Sequence, residues 1–400
     1  MAPLRAASRS ALVYAIDATI VLLLPILWAS RQIAHLVLRH KRFSIWTGAP
    51  IITVAKNSRA ERLLGFDSYS VVRTSYYITD EFDWVIDRVA KGNRAMAFGL
   101  TYLAFVAICV LAQQVHGYVE GGLLPGRKRR HFNTLELLVY RVLGIRLIIW
   151  TYGADVRTRN ATVELGHPNC CSDCPQIGSA CICDDIDGAK NYDCVARQAT
   201  AVFSMGDMIE YTPGSRNDLF FWPIDLAIQG GKRYKPAYPS VDLDRPVRVV
   251  HAPNHSHFKG TRYLEQAIAS LQQEGIGIEL ILVERLSNDQ ALEVYRSADV
   301  IFDQCLIGFH GYFALEAMAL GKPVMCFIRK PAEYLLHPEE CPIINPHVDT
   351  LKADLRSLVR RRDEFEDIGR RGRVYIERHF SLGTFAGRLQ SAYRDLGISI

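Results

Sequence analysis

The chain has 400 residues, 49% of them apolar and 22% charged, so it is long enough for two ordinary domains rather than one oversized core. Its formal net charge of +5 is small for this length, and the basic residues are dispersed except for the run RKRR at 127–130. We interpret that run as a solvated loop, and the charge distribution does not indicate a nucleic-acid partner.

Two apolar runs, at 10–30 and at 95–112, have marginal length for crossing about 30 Å of hydrocarbon. If both crossed, the segment between them would be cut off from later strands of the same parallel sheet, so at most the first run spans or docks. That run lacks a signal-peptide cleavage site, and LRHKR follows it at 38–42. Residues 1–44 are therefore either a membrane-associating helical segment or an amphipathic packing helix.

Strand-like and helical runs alternate between residues 45 and 226, as in an α/β sheet with crossover helices. The strand candidates in chain order are PIITVA, SYSVV, VHGYVE, RLIIW and TAVFSM. The stretch at 227–246 is rich in Pro and Gly and has no periodicity, which predicts an interdomain linker.

A long insertion at 167–195 interrupts this domain and holds six of the ten cysteines: Cys170, Cys171, Cys174, Cys181, Cys183 and Cys194. Cys171 and Cys174 have the C-x2-C spacing that lets two thiolates bind one tetrahedral metal ion. We expect a structural zinc ion, while an iron–sulfur cluster on four of the six, or no metal, remain open alternatives. A secreted disulfide protein would spread its cysteines more evenly, so we expect the cytoplasm, at the inner face of the membrane if the N-terminal segment docks there.

The second half predicts a sheet of its own over residues 247–382. Its strand candidates are VRVVHAP, IELILVE, VIFDQC and PVMCFI, separated by helices at 261–274, from Ser287 through Tyr295, and at 312–320. A last helix, within 383–400, is expected to pack back across the domains. The predicted fold class is α/β, with two Rossmann-like domains facing across a cleft, and ligands bind such domains at the carboxyl ends of the strands.

Polar residues and glycines follow three strands of the second sheet. The first strand is followed by Asn254, His255, His257, Lys259 and Gly260, the second by Glu284, and the third by Gly308 to Phe313, which enter a helix. A helix N-terminus with free amides is an anion site, and Lys259 adds a point charge for phosphate. Glu316 lies one turn into that apolar helix, where a carboxylate accepts hydrogen bonds from vicinal hydroxyls of a sugar. A structural ion pair is the alternative interpretation of Glu316.

The motifs Lys259-Gly260, YRSADV and GYFALEAMALGKPV resemble the donor-binding half of retaining, nucleotide-sugar-dependent glycosyltransferases of the GT-B fold. The resemblance implies that Lys259 contacts the donor diphosphate, that Gly311 with Tyr312 and Phe313 supplies amides to the phosphate or sugar, and that Glu316 holds the ribose. Asp225 matches a loop Asp that the family often has before its linker.

Two positions depart from the pattern of that family. Gly308 stands where the family commonly has a second Glu, and Asn254 stands where it commonly has an Arg. We interpret both as signs of an unusual donor, and His310 is a candidate for part of the missing polarity, with a plain loop histidine as the alternative.

The acceptor side is predicted from strand ends of the first domain. TYGADVR follows the strand RLIIW, so Asp155 is a candidate to orient an acceptor hydroxyl or to take its proton, with a turn or cap aspartate as the alternative. His116 and Glu120, at the junction HGYVEGGLLPG, are candidates to line the same cleft.

The sequence predicts a glycosyltransferase that moves a sugar from a nucleoside-diphosphate sugar to a glycan or lipid-linked acceptor. The resemblance implies retention and no catalytic divalent metal at the leaving group. Two alternatives come from other classes: a non-catalytic binding or scaffold protein on the GT-B frame, which Gly308 and Asn254 favour, and a metal or redox protein acting through its cysteines.

Overall fold

The computed structural model describes residues 13–76, 78–179, 181–240, 242 and 244–400. The start of the first apolar run, at 10–12, lies outside the described residues. Within them, two parallel sheets with flanking helices form two domains, which confirms the predicted fold class.

The first sheet has six parallel strands: β1 (Phe43–Trp46), β2 (Asp67–Val72), β3 (Trp84–Val85), β4 (Gln114–Tyr118), β5 (Arg146–Trp150) and β6 (Ala201–Phe203). Their order is β3-β2-β1-β4-β5-β6, that of a doubly wound sheet whose strand order reverses between β1 and β4. The helices of this half are α1 (Val13–Leu22), α2 (Leu24–Val37), α3 (Ile52–Arg62), α4 (Ile86–Val89), α5 (Arg94–Leu111), α6 (Thr134–Leu143), α7 (Arg159–Glu164) and α8 (Asp185–Ala196).

The second sheet has four parallel strands in the order β10-β9-β7-β8: β7 (Val247–His251), β8 (Ile278–Leu282), β9 (Val300–Gly308) and β10 (Val324–Ile328). Its helices are α9 (Ser256–Lys259), α10 (Thr261–Gln273), α11 (Asn288–Arg296), α12 (Tyr312–Ala319), α13 (Pro331–Tyr334), α14 (Leu351–Arg360) and α15 (Phe365–Tyr375), followed by α16 (Leu382–Asp395). Short 3-10 turns span Gly206–Tyr211, Ile228–Gly231 and Arg362–Glu364, and a π turn spans Ile376–Phe380. The predicted capping box of α11 is present, with Ser287 and Gln290 bonding reciprocally.

One strand prediction is wrong. PIITVA is not a strand, because α3 begins at Ile52 and continues without a break to Arg62. The strand of this unit is β1, which pairs with both β2 and β4. A short apolar run has no period that separates a buried strand from a buried helix turn, and Thr53, Val54 and Ala55 are buried here as a helix.

The N-terminal helices lie against α5. Arg31 of α2 is buried, and its guanidinium donates to the carbonyl oxygens of Cys109 (3.2 Å) and Ala112 (2.5 Å) at the carboxyl end of α5. A cation at this end satisfies free carbonyl groups and the negative end of the helix dipole. Among the described residues, α5 has the length and mean hydropathy of a membrane span, and α1 with α2, bent by 58°, meets the same criterion as a pair.

Helix α16 closes the first domain from the far end of the chain. Its Tyr393 is buried and donates to Glu61 of α3 at 2.6 Å, while its oxygen lies 3.1 Å from Nε2 of His116. The other oxygen of Glu61 accepts from Trp46 (2.7 Å) and Ser68 (2.6 Å). Burial opposes ionisation of Glu61, but the neighbouring His116 and the hydrogen bonds from Ser68 and Tyr393 hold its pKa at about 2. The last helix therefore completes a buried polar network of the first domain.

We expect Tyr393→Phe to lower the free energy of unfolding by about 1–3 kcal/mol, because it leaves buried Glu61 without one of its donors. Urea denaturation followed by tryptophan fluorescence measures the change. Tyr69→Phe, at an exposed tyrosine of β2, is the matched control. Equal stability of the two variants would contradict a structural role for this network.

Candidate functional site

The carboxyl ends of the two sheets face each other and touch. Gly206 of the first domain approaches Phe309 of the second so closely that a Cβ at Gly206 would lie 2.3 Å from the Phe309 ring. Glu210 accepts hydrogen bonds from Lys330 and from Tyr334, each at 2.6 Å. The Tyr312 hydroxyl donates to the carbonyl oxygen of Pro223 at 2.8 Å. The cleft predicted between the domains is therefore narrow at this end and held by polar contacts.

The centre of the donor side is a buried carboxylate, Asp303 of β9. One of its oxygens accepts from Nζ of Lys259 at 2.6 Å, and the other accepts from the backbone N–H of Gly311 at 2.5 Å. Burial opposes ionisation of Asp303, but the Lys259 charge and the Gly311 N–H outweigh it and hold the pKa of Asp303 below its usual value. Lys259 and the N-terminus of α12 are thus brought together, as the sequence predicted.

Gly260 is required by this arrangement. Its φ of +76° is in the left-handed region, and a Cβ here would lie 2.4 Å from Sγ of Cys305. The residue lets the chain turn from α9 directly into α10 while α9 lies against β9. Lys259 can point at Asp303 only because the next residue has no side chain.

Close contacts also favour a glycine at position 308, where the family that the motifs resemble commonly has a second Glu. The φ of Gly308 is +98°, and a Cβ would meet Cβ and Nε of Arg329, each at 3.1 Å. The guanidinium of Arg329 donates to the carbonyl oxygens of Leu165 (3.0 Å) and Pro168 (2.6 Å). The space beside residue 308 is therefore filled by an arginine that binds the first domain.

His310, Tyr312 and Phe313 surround the start of α12 with aromatic surface. Burial lowers the pKa of His310 to about 4, so its imidazole is neutral, and it packs on Phe309 with ring centroids 4.1 Å apart. Phe313 contacts Tyr295 of α11, with centroids 4.7 Å apart. His310 therefore contributes a neutral, buried ring to the site.

Glu316 is buried, and protein groups bond both of its oxygens. It accepts from the Tyr234 hydroxyl at 2.9 Å and from the Asn288 amide at 3.0 and 3.2 Å. Burial raises its pKa, and these two donors oppose the rise. Asn288 also accepts from Arg233, which pairs with Glu81 of the first domain. The carboxylate therefore belongs to a polar chain that crosses between the domains.

Asn288, Arg233 and Glu81 line a cavity of about 460 Å³. Further lining residues from the first domain are Ser75, Tyr76, Ile78, Thr79, Asp80 and Arg88. Glu316 lies behind Asn288 and reaches the cavity through it. Asn254 and Glu284 are exposed at the ends of β7 and β8. Asp225, the loop match of the family, is 3.6 Å from the guanidinium of Arg59.

The acceptor candidates Asp155 and Glu120 lie close to each other after β5 and β4. Oδ1 of Asp155 accepts from the backbone N–H groups of Tyr152 and Gly153, each at 3.0 Å, while its buried Oδ2 has no partner among the described residues. Burial raises the pKa of Asp155 to about 7, and the charge of Glu120 adds to the rise. Glu120 pairs with Arg130 at 3.0 Å, and the Arg130 guanidinium is 3.5 Å from the Tyr152 hydroxyl.

The prediction that His116 lines the cleft is wrong. It lies in the middle of β4, is fully buried, and stacks on Trp46 with ring centroids 3.9 Å apart. Its Nδ1 accepts from the Trp150 indole at 3.1 Å. The residue belongs to the core network around Glu61 and does not line the cleft, because the strand carries it two residues short of the sheet edge.

The cysteine-rich insertion crosses from the first domain to the second. We call residues 165–174 the strap. Besides the Arg329 contacts, His257 of α9 lies 3.1 Å from the carbonyl oxygen of Cys170, and Asp173 pairs with Arg262 at 3.2 Å. The side chains of Cys170 and Cys171 are buried in the hydrophobic cluster of the second domain. The strap therefore contacts the same short helix that carries Lys259.

The cysteines do not form a ready metal site in the described part of the chain. No three of their sulfur atoms lie within 4.8 Å of one another, so the set does not fit a tetrahedral zinc ion or an iron–sulfur cluster as placed. The hydrogen bond with Cys170 lowers the pKa of Cys171 to about 6, and Thr162, Arg157 and Arg159 act in the same direction.

The chain is similar to sucrose-phosphate synthase (tll1590) from Thermosynechococcus elongatus, with 13% identity and a TM-score of 0.57 over 89% of this chain and 99% of that one. It is also similar to Anabaena Alr3699/HepE, solved in complex with UDP-glucose, with 10% identity and a TM-score of 0.54 over 88% and 99% of the chains. The chain has the GT-B fold. No protein-family model and no curated protein matches the sequence. The GT-B arrangement thus extends well beyond the motifs of the second domain.

Three residues of this GT-B cleft escaped the sequence analysis. Asp303 is hidden inside the apolar strand VIFDQC, although a carboxylate in such a strand is a signal of a buried partner. Arg130 belongs to a run interpreted as a solvated loop, and Arg329 follows β10 without any motif. Only the fold shows that Asp303 holds Lys259 and Gly311 together and that Arg130 and Arg329 lie at the facing ends of the domains.

We expect Lys259→Met to destabilise the protein by about 3 kcal/mol at pH 7, because Asp303 is then left as a buried charge without its cation. The pKa of Asp303 rises in this variant, so the loss shrinks as the pH falls towards the unfolded aspartate pKa of about 4. Urea denaturation at pH 7 and pH 5 measures both effects. The double variant Lys259→Met/Asp303→Asn should recover much of the loss, and no recovery would contradict the pairing.

Proposed function

We propose that the protein is a glycosyltransferase that takes a sugar from a nucleoside-diphosphate donor. The observation that carries the proposal is the junction of Lys259, Asp303 and the N-terminus of α12 at the strand ends of the second domain. A lysine ammonium and free helix amides are the groups that bind phosphate, and this edge of a doubly wound sheet is where nucleotides bind. One similar GT-B structure was solved with UDP-glucose, which supports a nucleotide-sugar donor.

In this proposal Lys259 and the α12 amides stabilise the charge that develops on the leaving diphosphate. The cavity beside Asn288 takes the nucleoside, with Glu316 fixing the Asn288 amide and Tyr234 closing the network from the linker. Its volume of about 460 Å³ is within the range of small-molecule sites.

On the acceptor side, Asp155 is proposed to bind the attacking hydroxyl. Its unpartnered Oδ2 offers an acceptor, and its pKa of about 7 suits a group that receives a proton near neutral pH. Retention and a glycan or lipid-linked acceptor are the finer parts of the proposal, and they rest on the resemblance of the donor motifs.

We further propose that the protein works at a membrane surface on the cytoplasmic side. Helices α1 and α2 expose large apolar side chains over their whole length: Tyr14, Val21, Leu22, Leu23, Ile26, Trp28, Ile33, Leu36 and Val37. Basic residues Arg39 and Lys41 follow at the end of α2 and are exposed. Apolar surface beside basic residues is typical of helices that lie in the headgroup region of anionic lipid.

The nucleotide site is tested with a thermal-shift and donor-hydrolysis panel of nucleoside diphosphates and their sugars. We expect the nucleoside diphosphate of one base to stabilise the wild type, because that base fits the cavity beside Asn288. The corresponding nucleotide sugar should be hydrolysed, or its sugar transferred. Removal of the Lys259 charge in Lys259→Met/Asp303→Asn should weaken diphosphate binding about tenfold or more. Lys190→Met, at an exposed lysine of α8, is the control.

Binding without turnover by any donor would favour the scaffold alternative. No stabilisation by any nucleotide, with the protein folded, would reject the transferase and direct attention to the cysteines.

The membrane proposal is tested by flotation with vesicles of zwitterionic and anionic phospholipid at about 3:1. We expect the wild type to float, and Ile26→Glu/Leu36→Glu to lose roughly tenfold or more in binding because two charges enter the apolar surface. Leu63→Glu, at the exposed leucine that follows α3, is the control for an apolar-to-acidic change elsewhere. Equal flotation of all three proteins would refute the proposed surface.

A further inference from the structure

Three of the four basic residues at 127–130 are exposed, as predicted for a solvated loop, and only Arg130 is half-buried. Each of the four contacts a different part of the protein. Arg127 pairs with Asp17 of α1 at 2.9 Å, and Lys128 pairs with Asp187 of α8. Arg129 donates to the Ser179 carbonyl oxygen at 2.6 Å. Arg130 alone turns towards the cleft, where it pairs with Glu120 at 3.0 Å. The first three side chains hold the loop on the surrounding protein, and the side chain of Arg130 is available in the cleft.

The backbone of Arg130 is held in an unfavourable conformation. Its φ of +59° is in the left-handed region, which a residue with a side chain seldom adopts. Buried Asn191 fixes this turn, since its amide donates to the carbonyl oxygens of Val119 (2.9 Å) and Arg130 (3.3 Å), and its oxygen accepts from Phe132 N–H at 3.3 Å. Such conformations persist where the surroundings impose them, and they cluster at ligand sites.

The Arg130 side chain is largely enclosed, with 18% of it exposed. Among the described residues, Nη1 bonds Glu120 and the Tyr152 hydroxyl, and the buried Nε has no partner. A guanidinium presents five N–H donors, so this one keeps unused donors in a narrow cleft. An anion with several oxygens is the partner that such a fork fits.

Arg130 follows β4 of the first domain and Lys259 ends α9, which follows β7 of the second, so both lie at the facing carboxyl ends of the two sheets. His255, four residues before Lys259, has its pKa lowered by desolvation and by the positive charges of both Arg130 and Lys259. The loop of Arg130 also contacts the insertion through Arg129, and the strap contacts α9 through His257. The structure therefore offers one cation on each side of the cleft.

We propose that Arg130 binds the phosphate groups of the donor from the first domain, opposite Lys259, so that both domains hold one diphosphate. The inference rests on the proposed function. It adds a second residue, in the first domain, that recognises the diphosphate of the donor and not its nucleoside. Arg130 thereby supplies, from across the cleft, a positive charge that Asn254 does not provide within the second domain. Donor binding then favours the closed arrangement of the domains, because only that arrangement brings both cations to the anion.

The test measures binding of three probes by titration calorimetry: the nucleoside and the nucleoside diphosphate of the base that stabilises the wild type, and inorganic pyrophosphate alone. We expect Arg130→Gln to weaken the diphosphate and pyrophosphate by about 10- to 100-fold and to leave the nucleoside unchanged. Arg130→Lys should recover part of the loss, since it restores the charge without the fork. Arg129→Gln, next to it in the loop, should bind all three as the wild type does.

Wild-type affinity of Arg130→Gln for the diphosphate would overturn the inference and leave the proposed function intact. Equal weakening of all three probes would also overturn it, because Arg130 would then act through the fold. Absence of binding by the wild type itself would instead reject the proposed function, so the two failures are distinguishable.

Discussion

The buried carboxylate of Asp303 is the constraint on which the donor side depends. A charge in the middle of β9 is tolerated only because Lys259 and the Gly311 N–H neutralise it from two directions. That requirement fixes the position of α9 relative to β9 and the entry of the chain into α12. Gly260 follows from it, since a Cβ there would lie 2.4 Å from Sγ of Cys305, and a Cβ at Gly311 would lie 3.0 Å from Nζ of Lys259. The cation and the helix N-terminus are thus arranged before any ligand arrives, which reduces the cost of ordering them on binding.

The second constraint is that the two sheets meet at their carboxyl ends. The linker and the strap each cross between the domains and contact residues next to the cleft, whereas α16 packs into the core of the first domain. Tyr234 of the linker bonds Glu316, the strap bonds His257 and Arg329, and α16 carries Tyr393 to Glu61. A change in the angle between the domains therefore alters contacts at the donor helix itself. The cysteines of the strap lie in this region, and the carbonyl oxygen of Cys170 is 3.1 Å from His257, two residues before Lys259.

Local patterns account for what the sequence analysis predicted well. The strands β7, β9 and β10 are mainly apolar runs, and the capping box of α11 and the glycine before α12 mark their helices within a few residues. The errors lie where a residue is defined by distant partners. PIITVA had no period to separate strand from helix, and His116 is a core residue because Trp46, Trp150 and Tyr393 enclose it. Their sequence separation hides that enclosure.

The sequence by itself determined the two α/β units and their order, because each of these signals lies within one strand–turn–helix segment. It also singled out Lys259, Gly311 and Glu316 as candidates, which stay a prediction. Only the tertiary structure decided how the groups are used. It placed Glu316 behind Asn288, paired Lys259 with Asp303, left an oxygen of Asp155 without a partner, and turned Arg130 into the cleft. The physical reason is that burial and charge pairing depend on what other segments bring to a side chain. Those segments are up to hundreds of residues away along this chain and adjacent only after the two sheets have met.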